Sequence, residues 1–172
     1  MVLKEFTKED FNNYIELYNE FIETNSDLVP DILELECNNE EDYNIILKEI
    51  ENRKNGNHSD IEWYKDGHYY LVYDNNELVG LGCIRNNLTE KSYNIWGHIA
   101  CGIRPSKRNK GYGTEVVRLL VEQAKKMKIE EVILCHYIEN KISPKILKKI
   151  GATLTNKLVS PETNKVIFRY KV

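Results

Sequence analysis

Residues 98–127 read HIACGIRPSKRNKGYGTEVVRLLVEQAKKM, and three kinds of text meet in that stretch. His98 to Ile103 is an apolar run of strand character. Thr114 to Met127 carries Val116, Val117, Leu120, Val121, Ala124 and Met127 at helical spacing. Between them lies Arg108-Asn109-Lys110-Gly111-Tyr112-Gly113, so the backbone amides of this loop fall where a helix begins. Two glycines permit a tight turn and close approach by a ligand, while the first free N–H groups of a helix, at its positive dipole end, favour an anion. Arg104, Lys107, Arg108 and Lys110 add four cations within seven residues. A strand-loop-helix unit of this composition predicts a site for a polyphosphate ligand.

Reading outward toward the C-terminus, Val132 to Tyr137 is a short continuous apolar run, the pattern of a strand buried on both faces. Ser143-Pro144 predicts a helix start, with serine as cap and proline where no hydrogen bond is lost. Ile146, Leu147 and Ile150 form its stripe, Gly151 ends it, and Leu154 to Val159 pairs with a last strand around Val166 to Tyr170 through the turn at 160–164. Toward the N-terminus, a long strand is expected from about Tyr93 to Ile103. Before it come Tyr69 to Tyr73 and Leu78 to Ile84, a hairpin closed by Asp74-Asn75-Asn76. Thr7 and Asp10 predict a helix start, and Phe11, Tyr14, Ile15, Tyr18, Phe21 and Ile22 place one apolar face on a helix ending near Glu23. Pro30 interrupts, and Tyr43, Ile46, Leu47 and Ile50 mark a second helix that stops in the polar stretch Asn55 to Ser59. The expected order is ααβββαβαββ, an α/β (α+β) fold in a single domain, 1–172, with no repeat and no linker.

Composition narrows the function classes. With 41% hydrophobic and 30% charged residues the chain has the makeup of a folded protein rather than a disordered one. No apolar stretch reaches about 18 residues and no basic-then-apolar leader opens the chain, so no membrane partner and a cytoplasmic location are expected. Cys37, Cys83, Cys101 and Cys135 form no CxxC pair, so neither a metal site nor a disulfide framework is expected. The net charge of −3 argues against a nucleic-acid partner. It also hides an asymmetry: residues 1–60 hold 5 bases and 16 acids (−11), the remainder 19 bases and 11 acids (+8). A basic C-terminal part suits an anionic ligand, and an acidic N-terminal part suits a cationic one. For any assembly the default is a homodimer.

Spacing separates the glycine-loop families. A P-loop requires lysine and then serine or threonine after its last glycine, and Gly111 is followed by Tyr112. A dinucleotide turn requires a third glycine where Val116 stands. The segment instead resembles the GNAT superfamily of acyl-CoA-dependent N-acyltransferases, whose signature (Gln/Arg)-x-x-Gly-x-(Gly/Ala) is matched at each fixed position by Arg108, Gly111 and Gly113. Ile103-Arg104-Pro105 before the loop, Asn140 after the next strand and a helix ended by Gly151 agree with it.

The resemblance implies a central mixed, mostly antiparallel twisted sheet with helices on both faces, and acetyl-CoA as co-substrate. It implies loop amides that hold the coenzyme pyrophosphate, and a splay between the fourth and fifth strands that admits the pantetheine arm. On this basis the expected coenzyme contacts are Cys101, Gly102, Ile103, Arg104, Arg108, Asn109, Lys110, Gly111, Tyr112, Gly113, Thr114, Asn140 and Ser143, with Ile99, Cys101 and Ile103 as the strand positions and Gly102 easing a bulge. The implied activity is acetyl transfer to a primary amine by direct attack in a ternary complex; the alternative is a non-catalytic acyl-CoA-binding or sensor domain.

Such a transfer needs a base for the amine and an acid for the departing thiolate. No acid lies between Glu90 and Glu115, so His98 is the expected base. The family's usual tyrosine, seven residues after the asparagine, is Leu147 here, which cannot donate a proton. Ser143 is therefore the expected donor toward the thioester sulfur, with Tyr137 and Tyr170 as further candidates. The acceptor, a small-molecule or peptide amine, is expected to enter over the first two helices and the hairpin, drawn by Glu16, Glu20, Glu34 and Glu36 and walled by Trp63 and Tyr64.

Overall fold

Thr7 and Asp10 open the first helical segment as their spacing predicts: the Asp10 carboxylate accepts from the Thr7 amide at 3.0 Å and from its hydroxyl at 2.8 Å. The computed structural model describes residues 1–57 and 66–172; Trp63 and Tyr64, expected to wall the acceptor, lie outside the described residues. The chain runs β1 (Val2–Lys4), α1 (Phe11–Glu23), α2 (Glu40–Lys54), β2 (Gly67–Asp74), β3 (Glu77–Arg85), α3 (Glu90–Ile95), β4 (Ile99–Ile103), α4 (Tyr112–Lys126), β5 (Ile133–Tyr137), α5 (Ser143–Lys149), β6 (Thr153–Val159) and β7 (Val166–Lys171). Asn75 and Asn76 join β2 to β3 with φ of 46° and 66°, the left-handed pair that a tight hairpin turn demands.

Two elements depart from the expected order. Strand β1 pairs antiparallel with β2 through Val2 and Tyr73, Leu3 and Val72, Lys4 and Leu71. At three residues it is too short to show a period. The long strand expected from Tyr93 begins only at Ile99, because residues 90–95 are helical: Thr89 accepts from the Ser92 amide at 3.3 Å while the Ser92 hydroxyl accepts from the Thr89 amide at 3.1 Å. Gly97 then turns the chain at φ +68°, where an added Cβ would come within 2.5 Å of the Ile133 carbonyl oxygen.

The central sheet is divided. Strands β1-β2-β3-β4 form one ladder set and β5-β7-β6 another, and every pairing within them is antiparallel. The expected mixed sheet is therefore two antiparallel sheets. They meet at a bridge between Gly97 and Leu134, where the His98 amide donates to the Ile133 carbonyl at 2.7 Å. Beyond that point β4 and β5 share no ladder, as the expected splay requires. Its cause is not the bulge expected at Gly102, since β4 pairs in unbroken register from Ile99 to Ile103; the irregular register lies at Val79 of β3, between the Val72–Gly80 and Tyr73–Leu78 pairs. Gly102 serves a different need. A Cβ there would stand 2.2 Å from the Val29 carbonyl oxygen, so glycine lets the segment after α1 lie directly on β4.

Both sheet faces are covered, as expected. On one side α1 and α2 pack on Tyr69, Leu71, Tyr73, Leu81 and Cys83; on the other α4 and α5 pack on Tyr70, Val72, Val79 and Ile84. Alternate residues of β2 thus enter opposite cores. Leu17 of α1 and Leu120 of α4 are fully buried, and each such side chain contributes roughly 2 kcal/mol. The two cores fix α1 and α4 on opposite sides of β4, and so fix the loop before α4 at the mouth of the splay.

Candidate active site

Strand β4 ends at Ile103, Pro105–Lys107 make a single 3-10 turn, and the loop to α4 follows. Asn109 (φ 61°) and Gly111 (φ 89°) both adopt left-handed backbone. These reversals turn successive amides toward one side. The Lys107 and Arg108 amides are taken by Arg104 and Pro105, and the Thr114 amide by Gly111, but those of Asn109, Lys110, Gly111, Tyr112 and Gly113 have no acceptor among the described residues. Consecutive open donors leading into the first turn of a 15-residue helix are an arrangement that favours an anion. A Cβ on Gly111 would meet nothing within 4 Å, so glycine is required there by its φ. At Gly113 it is contact that matters, since a Cβ would press on Ile146 of α5 at 3.1 Å.

The four cations do not converge on this loop as expected. The Arg104 guanidinium donates to Glu20 at 2.6 Å and Glu16 at 3.2 Å, and Lys107 pairs with Glu77, so carboxylates neutralise both. Glu20 also accepts the Ser106 amide at 3.0 Å. Burial works to raise its carboxyl, yet the Ser106 amide and Arg104 together hold it below its ordinary value. Glu16 and Glu20, expected to attract an amine, instead tie α1 to the loop. Arg108 donates to the Ile103 carbonyl at 3.1 Å and the Ser26 hydroxyl at 2.9 Å and lies over the Phe21 ring, while Lys110 donates to the Ser106 carbonyl at 3.2 Å. Their partners are neutral, so Arg108 and Lys110 keep their charge beside the open amides. Tyr112 turns inward, its hydroxyl donating to Asp74 at 3.1 Å, so only its amide faces the loop.

Along the splay, Ile99, Cys101 and Ile103 share the β4 face toward α4. Cys101 is half-buried, and burial first, with neighbouring Cys83, pushes its thiol up to about 12, which makes it inert as a nucleophile. Asn140 caps α5: its Oδ1 accepts from the Ile142 amide at 3.0 Å and the Ser143 amide at 2.9 Å. Ser143, expected as the cap, is relieved of that duty. Its hydroxyl, like that of Thr114, makes no hydrogen bond among the described residues, which leaves both available to a ligand.

The two histidines at the splay differ in state. His98 lies just before β4 and is buried; its Nδ1 accepts from the Ile133 amide at 2.9 Å. With Nδ1 occupied, the neutral ring carries its proton on Nε2 and has no open lone pair. Burial pushes its pKa down to about 4. His136 of β5 is also buried, but its Nδ1 lies 2.9 Å from the Tyr137 carbonyl oxygen and its Nε2 has no partner among the described residues. In the sequence His136 sits inside an apolar strand run. A polar ring in that run, four residues before Asn140, was the available signal. Among the described residues no three His, Cys, Asp or Glu side chains gather as a metal site.

A family model described as an acetyltransferase (GNAT) domain matches residues 1–153. No curated protein matches the chain in sequence. Among solved structures, the chain is similar to RimL, a ribosomal L7/L12 alpha-N-protein acetyltransferase in complex with coenzyme A, at 15% identity and a TM-score of 0.70, over 99% of this chain and 92% of that one. It is similar to the microcin C7 self-immunity acetyltransferase MccE in complex with acetyl-CoA and AMP at 14% and 0.67, over 99% and 90%. A chimeric spermidine N-acetyltransferase built from Vibrio cholerae SpeG and hSSAT gives 14% and 0.63, over 100% and 95%. At these identities the likeness shows the fold.

Proposed function

The chain belongs to the GNAT acetyltransferase family, and on that premise we propose that it moves an acetyl group from acetyl-CoA to a primary amine by direct attack in a ternary complex. The observation that carries this reading is the run of open amides from Asn109 to Gly113 at the start of α4, beside the divergence of β4 and β5. In this reading those amides, with the charges of Arg108 and Lys110, hold the coenzyme pyrophosphate. The unpaired edges of β4 and β5 offer backbone groups to the pantetheine arm, near Cys101, Gly102 and Ile103. The Asn140 side-chain amide and the Ser143 hydroxyl face the same ligand from the β5 side. Acetyl-CoA supplies the activated thioester; the protein supplies position and an acceptor for the amine's proton.

The acceptor is an amine, either a small molecule or a peptide N-terminus. Two similar folds act on such groups, a ribosomal protein N-terminus for RimL and spermidine for SpeG. The acidic N-terminal part suits a cationic acceptor, with the exposed Glu34 and Glu36 as its contribution once Arg104 has engaged Glu16 and Glu20. The reading takes residues 1–172 as one domain of a cytoplasmic homodimer; among the described residues no helix is long and apolar enough to cross a membrane.

A free-thiol release assay with acetyl-CoA against polyamines, aminoglycosides, amino acids and short peptides, with mass detection of product, tests the reading. Thiol release matched by a gain of one acetyl group on an amine is expected. Tight acetyl-CoA binding with no release across the panel would favour the non-catalytic sensor.

A further inference from the structure

We propose that His136 takes the proton of the attacking amine on its Nε2. The inference rests on the acetyl-transfer reading and adds to it a named base on β5. The Tyr137 carbonyl oxygen, 2.9 Å from Nδ1, can only accept, so Nδ1 carries the ring proton and donates it there. The lone pair of the neutral ring is then on Nε2, a tautomer set by its second nitrogen's partner. Nε2 is buried without a hydrogen bond among the described residues. Leaving such an atom unpaired costs about 1–3 kcal/mol. The ring is also held in place, stacked on Phe168 at 5.5 Å and on Tyr170 at 5.6 Å between ring centres. A fixed, bare, basic nitrogen is what a general base presents before its substrate arrives.

Its position agrees. His136 follows Leu134 by two residues on β5 and so shares its strand face. Leu134 and the stacked Tyr170 both belong to the core beneath α4 and α5, the layer whose first turn holds the open amides. His136 also lies past the Gly97–Leu134 bridge, where β5 has no ladder with β4. The ring therefore stands on the β5 wall of the splay, on the side of the loop.

The step balances with the two substrates alone. The acceptor binds as the neutral amine, having given its extra proton to solvent. Its nitrogen bonds to the carbonyl carbon, the carbon–sulfur bond breaks, one N–H proton passes to His136 Nε2, and the same proton leaves Nε2 for the thiolate. Amide and free thiol result, and the imidazole is neutral again.

Three measurements test this. Long-range proton–nitrogen NMR of the wild-type protein should show His136 as the Nδ1–H tautomer. His136→Asn keeps a donor near the Tyr137 carbonyl but has no nitrogen at the Nε2 position. It should retain the melting temperature and the acetyl-CoA affinity while kcat falls by roughly 10²–10³-fold, within the range of a lost general base. An Nε2–H tautomer in the wild type, or a His136→Asn variant with wild-type kcat, would overturn the assignment while leaving the donor site standing. Acetyl-CoA titrated into the wild type by calorimetry separates the two claims: absence of binding would overturn the donor reading and this inference with it.

Discussion

His98, just before β4, and His136, within β5, are both buried, and their rings are used in opposite ways. A backbone amide closes the Nδ1 lone pair of His98, while a backbone carbonyl takes the Nδ1 proton of His136 and leaves Nε2 open. The same residue type thus fastens the two sheets where they meet and, one strand over, leaves a ring nitrogen open where they part. Residue type and strand position alone favour His98; the direction of one hydrogen bond is what moves the proposed base to His136. In the proposed function the β4 wall and its loop hold the donor, and the β5 wall carries the proton chemistry.

The largest effect expected on the binding wall comes from Gly111→Glu. Its left-handed φ makes any side chain strained by about 1–2 kcal/mol, but a Cβ would meet nothing within 4 Å, so the fold survives. The added carboxylate faces the open amides, and acetyl-CoA affinity should drop at least about a hundredfold, or roughly 2.7 kcal/mol. Calorimetry on the folded variant checks it; unchanged affinity would separate the loop from the donor.

A comparable but purely structural effect is expected at His98. Its folded pKa of about 4 lies below the ordinary 6.5, so as pH falls the unfolded chain takes up a proton that the folded ring refuses. The stability this contributes is complete above pH 6.5 and is lost between 6.5 and about 4. His98→Asn, whose carbonyl can still accept from Ile133, should flatten the urea stability profile across that window by on the order of 2–3 kcal/mol. Turnover at pH 8 should persist, and its loss there would return the base role to His98.

The backbone of the loop before α4 was legible because local geometry wrote it. Gly111 marks a left-handed φ, Gly113 marks a close helix contact, and both precede a stripe of apolar residues at helical spacing. Strand β1 was not legible, since three residues carry no period, and α3 was hidden because Tyr93 and Ile95 read as the start of a strand. The partners of the cations were also out of reach: Arg104 meets Glu16 and Glu20 across the fold, from residues more than 80 positions away. His136 was obscured by its surroundings, since a ring stacked between Phe168 and Tyr170 reads as core until its hydrogen bonds are known.

The most direct test of the donor site is a proton–nitrogen correlation spectrum of the protein titrated with acetyl-CoA. Binding at the loop predicts that the backbone amides of Asn109, Lys110, Gly111, Tyr112 and Gly113 shift most, moving together with one saturation curve. A titration that saturates while those amides stay still would contradict the account.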